Sequence, residues 1–330
     1  IKNITSESEK MIKLRGKKSL DYLGDINEKK LKAAWKVSFG VMLVVMVSIT
    51  ILGTISFRMI SRSIQNNSSI SSMQLVKQTA KNIETVLSDI DRLTIAMTSD
   101  GELYKLVRKH NLSDDEHEKA AYSRKIREIM NTYAVNRDDI ADIVVVTNTM
   151  DYISSGELII NDQKDVSSYN AVKSFRESEK DSLWVDTYVA DANSTFKSTG
   201  SYGQVISFVK KIYEPESKES CGMLIVNYKE SYLFRLISDI KVPDKSNIYI
   251  LGKSGNYVMN IYNRNANGNY SQYDVYLRDV VTSHGGSVRR AIDQEDFIIT
   301  FESIQQIAGT ALDWRVVLSM QAASVTEGIT

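Results

Sequence analysis

The stretch VSFGVMLVVMVSITILGTISF, residues Val37 to Phe57, holds twenty-one consecutive residues without a charge. At a rise of 1.5 Å per residue, a helix of this length measures about 31 Å, close to the hydrocarbon thickness of a bilayer. A buried helix of a soluble domain usually keeps a polar stripe. A signal peptide has a shorter apolar core that lies nearer the start of the chain. The stretch therefore predicts a transmembrane helix over residues 37–57.

The charges on either side of this stretch predict its orientation. Residues 1–36 contain ten Lys and Arg residues against five Asp and Glu, whereas only Arg58 and Arg62 follow before Lys77. Basic residues accumulate on the cytoplasmic side of membrane helices. We therefore expect residues 1–36 to form a basic cytoplasmic tail and residues 58–330 to lie outside the cytoplasm, with the cell membrane as a partner.

The composition excludes several classes of protein. The chain is 42% hydrophobic and 25% charged, which is typical of a folded globular protein. Its formal net charge is zero, and this argues against nucleic acid as a partner, because nucleic-acid binding needs a basic face. The single cysteine, Cys221, excludes an intramolecular disulfide framework.

A long helix is predicted to follow the membrane span, within a region of helices over residues 58–135. Apolar side chains recur along it at an alternating spacing of three and four residues, which places them on one face. This seam consists of Met73, Val76, Ala80, Ile83, Leu87, Ile90, Thr94 and Met97. The seam over residues 73–97 fits two structures: the contact of a homodimer, or packing of the helix against a sheet of its own domain.

The apolar period changes from about 3.6 to 2 after residue 136, which predicts an α+β fold with two antiparallel sheet units. The first unit covers residues 136–230, a connecting helix covers 231–243, and the second unit covers 244–322. We expect five strands in the first unit, with helices on one side of the sheet: Ile140–Thr147, Tyr152–Ser155, Trp184–Val189, Gln204–Ile212 and Gly222–Tyr228. The second unit repeats the outline with Asn247–Leu251, Asn256–Asn260, Phe297–Ser303 and Trp314–Met320.

This order of parts resembles the double Cache (dCache) ectodomain of bacterial transmembrane receptors, in which two PAS-like sheets follow one long helix. The resemblance rests on the span, the long helix and five segments: IVVVT–NTMD–YISS, QVISFVKKI, GMLIVNY, IYILGKSGNYV and DWRVVLSM. It implies an extracellular sensor whose membrane-distal unit, 136–230, binds a small molecule, and whose proximal unit is 244–322. It also implies that residues 323–330 lead into a second membrane helix.

The resemblance leaves the class of receptor open. We expect a two-component sensor histidine kinase first and a methyl-accepting chemoreceptor as the alternative, with the output domain outside this chain. A membrane-tethered enzyme or adhesion module is the remaining alternative. The sequence shows no catalytic constellation, no spacing of metal ligands and no motif for a cofactor, so we expect a ligand-binding region without enzymatic activity.

The candidate ligand-binding residues lie in the first unit. Trp184 and Tyr188 alternate along one predicted strand, where residues 184, 186 and 188 are expected to share a face. Asp191 is expected to bind a ligand ammonium group, Tyr169 and Tyr202 to line the rim, and Lys210 to meet a ligand carboxylate. In the alternative interpretation, Trp184 and Tyr188 are core aromatics and Asp191 caps a turn.

A partial motif accompanies these residues. Amino-acid-binding members of the resembling family carry an Arg-x-Trp-Tyr run, followed further on by a Tyr and an Asp. Here Ser182 stands where the arginine would be and Val185 follows Trp184, whereas Tyr188 and Asp191 do match the later pair.

Overall fold

The structure is a computed structural model, and it describes residues 2–156, 163–189, 203–240, 242, 246–269, 284–292 and 294–322, with side chains from residue 35 onward except at 163–165. Helix α1 comprises Lys2–Thr98, and five shorter helices and ten strands follow it among these residues. The shorter helices are α2 Gly101–Leu112, α3 Glu116–Ala134, α4 Gln163–Ser168, α5 Asn170–Ser178 and α6 Glu230–Ser238. A short 3-10 helix covers Arg264–Ala266. The chain divides into two compact parts, Ile1–Ile64 and Gln65–Thr330.

The part Ile1–Ile64 is helical, and the apolar residues of its predicted membrane span face outward. The side chains from Val37 to Phe57 are exposed, including Phe39 at 64% and Phe57 at 62%. By length and composition, α1 is the one helix among the described residues that is able to cross a membrane. Such exposure suits a lipid environment, since every backbone group is already bonded within the helix.

The part Gln65–Thr330 contains two five-stranded antiparallel sheets. The first has the order β2-β1-β5-β4-β3, and its strands are β1 Ile140–Thr147, β2 Tyr152–Ser154, β3 Ser182–Val189, β4 Gln204–Tyr213 and β5 Ser220–Lys229. The second has the order β7-β6-β10-β9-β8, and its strands are β6 Ser246–Leu251, β7 Tyr257–Asn260, β8 Gly285–Ile292, β9 Glu295–Ile307 and β10 Thr310–Gln321. The two sheets repeat one topology, which confirms the predicted α+β class.

The apolar seam of α1 packs inside its own chain. Val76, Ile83, Leu87 and Ile90 are completely buried, in a core shared with strands of both sheets. Of the two structures that the seam allowed, this is the intrachain one. The expectation of a homodimer through residues 73–97 is therefore corrected at these side chains, because none of them has surface left to offer a second copy.

The first sheet is covered on both faces, and this corrects the expectation of helices on one side only. Ile143 and Val145 of β1 face the core that contains α1, α2 and α3. Val144 and Val146 alternate with them and face a second core formed with α5. Because both faces are covered, nearly all of β1 is buried, and its sequence is an apolar run rather than a polar-apolar alternation.

Candidate functional site

A buried group of polar side chains lies on the α5 face of the first sheet. The carboxylate of Asp142, on β1, accepts hydrogen bonds from Asn227 Nδ2 at 2.5 Å and from Ser154 Oγ at 3.0 Å. The side-chain oxygen of Asn227 in turn accepts from Ser207 Oγ at 2.5 Å. These four residues come from four adjacent strands, β1, β2, β4 and β5, so the sheet itself aligns them.

Two tyrosines complete this polar network. The hydroxyl groups of Tyr188 and Tyr169 share a hydrogen bond of 3.2 Å, and the Tyr188 hydroxyl shares another with Ser207 at 2.8 Å. Asn227 Nδ2 also donates to the Tyr169 hydroxyl at 3.1 Å. The rings of Tyr169 and Tyr188 meet edge to face, with centroids 6.0 Å apart. We use the name polar network for Asp142, Ser154, Tyr169, Tyr188, Ser207 and Asn227.

Burial controls the protonation of the network. It raises the pKa of Asp142 to about 6, although the hydrogen bonds from Asn227 and Ser154 favour the ionised form. Burial likewise raises the pKa of Tyr169 and of Tyr188 well above the ordinary value. The two phenols therefore stay neutral at physiological pH, and Asp142 titrates close to that range.

A cleft of about 550 Å³ runs along the outer strand β3, and we call it the β3 cleft. Its first-sheet wall is formed by α5 and β3, through Asn170, Ser174, Leu183, Val185 and Tyr188. Its second-sheet wall is formed by the β6–β7 turn, the first residues of β10 and the segment after the 3-10 helix, through Lys253, Asn256, Asn269, Leu312 and Asp313. Tyr188 belongs both to the wall and to the polar network, so this residue connects the network with the cleft.

The polar network brings together two of the six predicted site residues, Tyr169 and Tyr188. Trp184 lines the β3 cleft as well, but its ring packs in the α1 core, with its centroid 4.4 Å from that of Phe208. The pairing of β3 with β4 shifts register between Val185 and Tyr188, and this irregularity changes which residues share a face. The expectation that residues 184 and 188 lie on one face is therefore wrong.

Lys210 also lies on the α1 face of the sheet, away from the polar network. Burial raises the pKa of Asp91, on α1, and the positive charge of Lys210 lowers that pKa in part. This position does not suit the expected contact with a ligand carboxylate at the tyrosines. Asp191 and Tyr202 lie outside the described residues, so their expected roles stay predictions.

Asp142, Ser207 and Asn227 are not among the site residues predicted from the sequence. Each is a buried polar residue in an otherwise apolar strand: IADIVVVT, QVISFVKKIY and SCGMLIVNYK. Such a residue requires hydrogen-bonding partners inside the protein, so the pattern itself was a usable signal. In the part of the chain that the structure describes, no cluster of His, Cys, Asp and Glu is able to hold a metal ion.

Comparison with solved structures identifies the fold. The ligand-binding domain of the Pseudomonas fluorescens chemoreceptor CtaA with L-isoleucine is 15% identical, with a TM-score of 0.57 over 81% of this chain and 98% of that one. The domain of the Pseudomonas aeruginosa PAO1 chemoreceptor PctB with L-Arg is 13% identical, with a TM-score of 0.54 over 78% and 97%. The periplasmic sensory domain of Campylobacter jejuni Tlp1 is 10% identical, with a TM-score of 0.59 over 81% and 99%.

A search of curated proteins gives no match. A comparison with models of protein families does give one, and it agrees with this fold. The model of the Cache domain in its double form, dCache, matches residues 59–329, which include both sheets and the buried seam of α1. This chain belongs to the Cache domain family.

Proposed function

We propose that this chain is the sensing region of a transmembrane receptor, with residues 58–330 outside the cytoplasm and residues 1–36 inside. Support comes from the Cache fold, the exposed apolar helix and the excess of basic residues before it. Ligand binding, without catalysis, is the activity that we assign to the two sheets.

The observation that carries this proposal is the position of Tyr188, which links a buried polar network to an open cleft. A small polar ligand on the first-sheet wall would meet Asn170 and Ser174 of α5 together with Tyr188. Such a wall, partly apolar and with a few convergent polar groups, is typical of small-molecule sites. Any change in the hydrogen bonds of Tyr188 would reach Ser207 and Asn227 within the sheet.

We propose a chemoreceptor rather than the histidine kinase that the sequence analysis placed first. The three similar structures described above are all domains of chemoreceptors, and two of them contain an amino acid. We therefore propose an amino acid as the ligand class. Since the arginine of the family motif is replaced by Ser182, the ligand carboxylate needs another cation, and Lys180 and Lys253 both line the cleft.

The test is thermal unfolding of the full chain in lipid nanodiscs against the twenty L-amino acids. A ligand at about 100 times its dissociation constant adds roughly 2.7 kcal/mol to the free energy of unfolding. Tyr188→Phe removes only the hydroxyl that bonds this residue to the polar network. We expect the variant to bind the amino acid about tenfold more weakly. Tyr262→Phe is the matched control, because Tyr262 is 65% exposed.

Two results would overturn the proposal. One is the absence of stabilisation by any amino acid at about 10 mM, a concentration of about 100 times a dissociation constant of about 0.1 mM. The other is an equal loss of affinity in Tyr188→Phe and Tyr262→Phe, which would place the ligand elsewhere.

A further inference from the structure

The β3 cleft contains a second polar feature that is separate from the polar network. The Oδ1 atom of Asp186, on β3, accepts a hydrogen bond from the indole Nε1 of Trp314, on β10, at 2.7 Å. Its Oδ2 atom lies directly over Gly252, where an added methyl group would stand 2.1 Å away. A carboxylate of the first sheet is thus enclosed by residues of the second.

Hydrogen bonds on either side of Asp186 hold β3 against the second sheet. Thr187 Oγ1 donates to the carbonyl oxygen of Val258, on β7, at 2.5 Å. Ser182 Oγ and Thr310 Oγ1 share a hydrogen bond of 2.7 Å. The carboxylate is therefore fixed in place, as a ligand anchor needs to be.

The hydrogen-bonding capacity of this carboxylate is mostly unused. A carboxylate offers about four acceptor positions, and within the described ranges Asp186 receives only the bond from Trp314. Burial raises the pKa of Asp186, which reflects the cost of keeping its charge there. The half-buried Asn256, on the same cleft, has no side-chain hydrogen bond in the part of the chain that the structure describes.

The other charges of the cleft lie at its rim. Lys253 pairs with Asp313 at 3.5 Å, and the lysine side chain is 76% exposed. Lys180 is exposed as well. Exposed charges are screened by water and salt, whereas the half-buried Asp186 is screened less, so the floor of the cleft favours a cation.

We propose that the floor of the β3 cleft is a second ligand site, which binds the primary ammonium group of a small amine through Asp186 Oδ2 and the side-chain oxygen of Asn256. An ammonium group brings three donors and one positive charge, which suit the open acceptor positions and the negative charge of Asp186. The bound amine contacts the carboxylate that Trp314 holds, so it acts on both sheets at once. Neither Asp186 nor Asn256 belongs to the polar network.

The test uses the full chain in nanodiscs with tryptophan labelled with ¹⁵N in the indole ring. The sequence has three tryptophans, so three indole resonances are expected, and Trp314→Phe identifies the one of interest. Titration with 1,4-diaminobutane should shift that resonance to saturation. The neutral analogue 1,4-butanediol and NaCl at equal ionic strength should leave it in place.

Two variants with the same change of charge separate a specific site from general attraction. Asp186→Asn should weaken diamine binding about tenfold or more, because a charged acceptor is lost. Asp313→Asn, at the rim, should weaken it by no more than about threefold, as expected for an exposed charge. Asn256→Ala should also weaken binding, which covers the case in which Asp186→Asn fails to fold.

The proposal is overturned if the shift does not saturate, if NaCl reproduces it, or if Asp313→Asn loses as much affinity as Asp186→Asn. Tyr188→Phe should leave the diamine titration unchanged, and a parallel loss would also overturn the second site. Should the diamine fail to bind while an amino acid still stabilises the chain, only this inference falls and the proposed sensing function stands.

Discussion

Replacing Asp142 by Asn is expected to stabilise the protein at neutral and alkaline pH. Asp142 is completely enclosed, and burial raises its pKa from 3.8 to about 6. An asparagine has the same shape, and its side-chain oxygen still accepts from Asn227. Its amide group donates to Ser154, whose hydroxyl oxygen accepts as readily as its hydrogen donates.

The sign and size of the effect follow from linkage. Because the folded pKa is above the unfolded one, the folded protein holds the proton more tightly, and stability falls as the pH rises from 3.8 through about 6. At about 1.36 kcal/mol per pKa unit, the difference between these two values costs about 3 kcal/mol above pH 7. The substituted asparagine does not ionise and escapes this cost, so the midpoint of unfolding should rise by about 6 °C or more.

The assay is thermal unfolding of the wild type and of Asp142→Asn between pH 4 and pH 8. The two midpoints should nearly coincide at pH 4 and separate progressively through pH 6. Asp114→Asn, at an exposed position, is the control and should follow the wild type throughout. A variant that is less stable than the wild type at pH 8, or a gap that does not depend on pH, would refute the assignment of Asp142 as a buried carboxylate with a raised pKa.

Three further predictions concern packing. Gly222→Ala places a methyl group 2.6 Å from the backbone oxygen of Val146, which is not free to move. The free energy of unfolding, measured with urea, should therefore fall by about 1–3 kcal/mol. Trp314→Phe leaves Asp186 Oδ1 without its donor and should cost about 1–3 kcal/mol in the same assay. Ile83→Cys should give no disulfide-linked dimer under oxidising conditions, because position 83 is fully buried; a dimer band on a non-reducing gel would contradict the intrachain packing of the seam.

The sequence predicted the fold well where a pattern is repeated over many residues. The uncharged run of Val37 to Phe57, the three-four seam of α1 and the strand pairs β1–β2 and β6–β7 each depend on one local period. The missed strand, β8 Gly285–Ile292, has the sequence GGSVRRAI, and among the described strands it pairs with β9 alone, at the edge of its sheet. Two glycines and two arginines in eight residues do not predict a strand. In an edge strand, however, exposed charges prevent pairing with another chain.

The site was harder to predict because it depends on register and on distant strands. A single irregularity in β3 moves Tyr188 onto the α5 face and leaves Trp184 in the α1 core. The polar network joins residues that are 12 to 85 positions apart in the chain, such as Asp142 with Ser154 and with Asn227. No local spacing encodes such a set, whereas the requirement that buried polar groups pair with one another does point to it.

Strand β10 connects the cleft to the long helix without an intermediate element. At one end, Trp314 binds Asp186 of the first sheet; at the other, the sulfur of Met320 contacts the hydroxyl of Ser72, on α1, at 3.4 Å. About six residues of strand separate these contacts, which corresponds to about 20 Å. β10 is hydrogen-bonded to β6 and β9 on its two sides, and this pairing resists bending. We therefore expect a ligand that moves Asp186 to act on α1 close to the start of the buried seam.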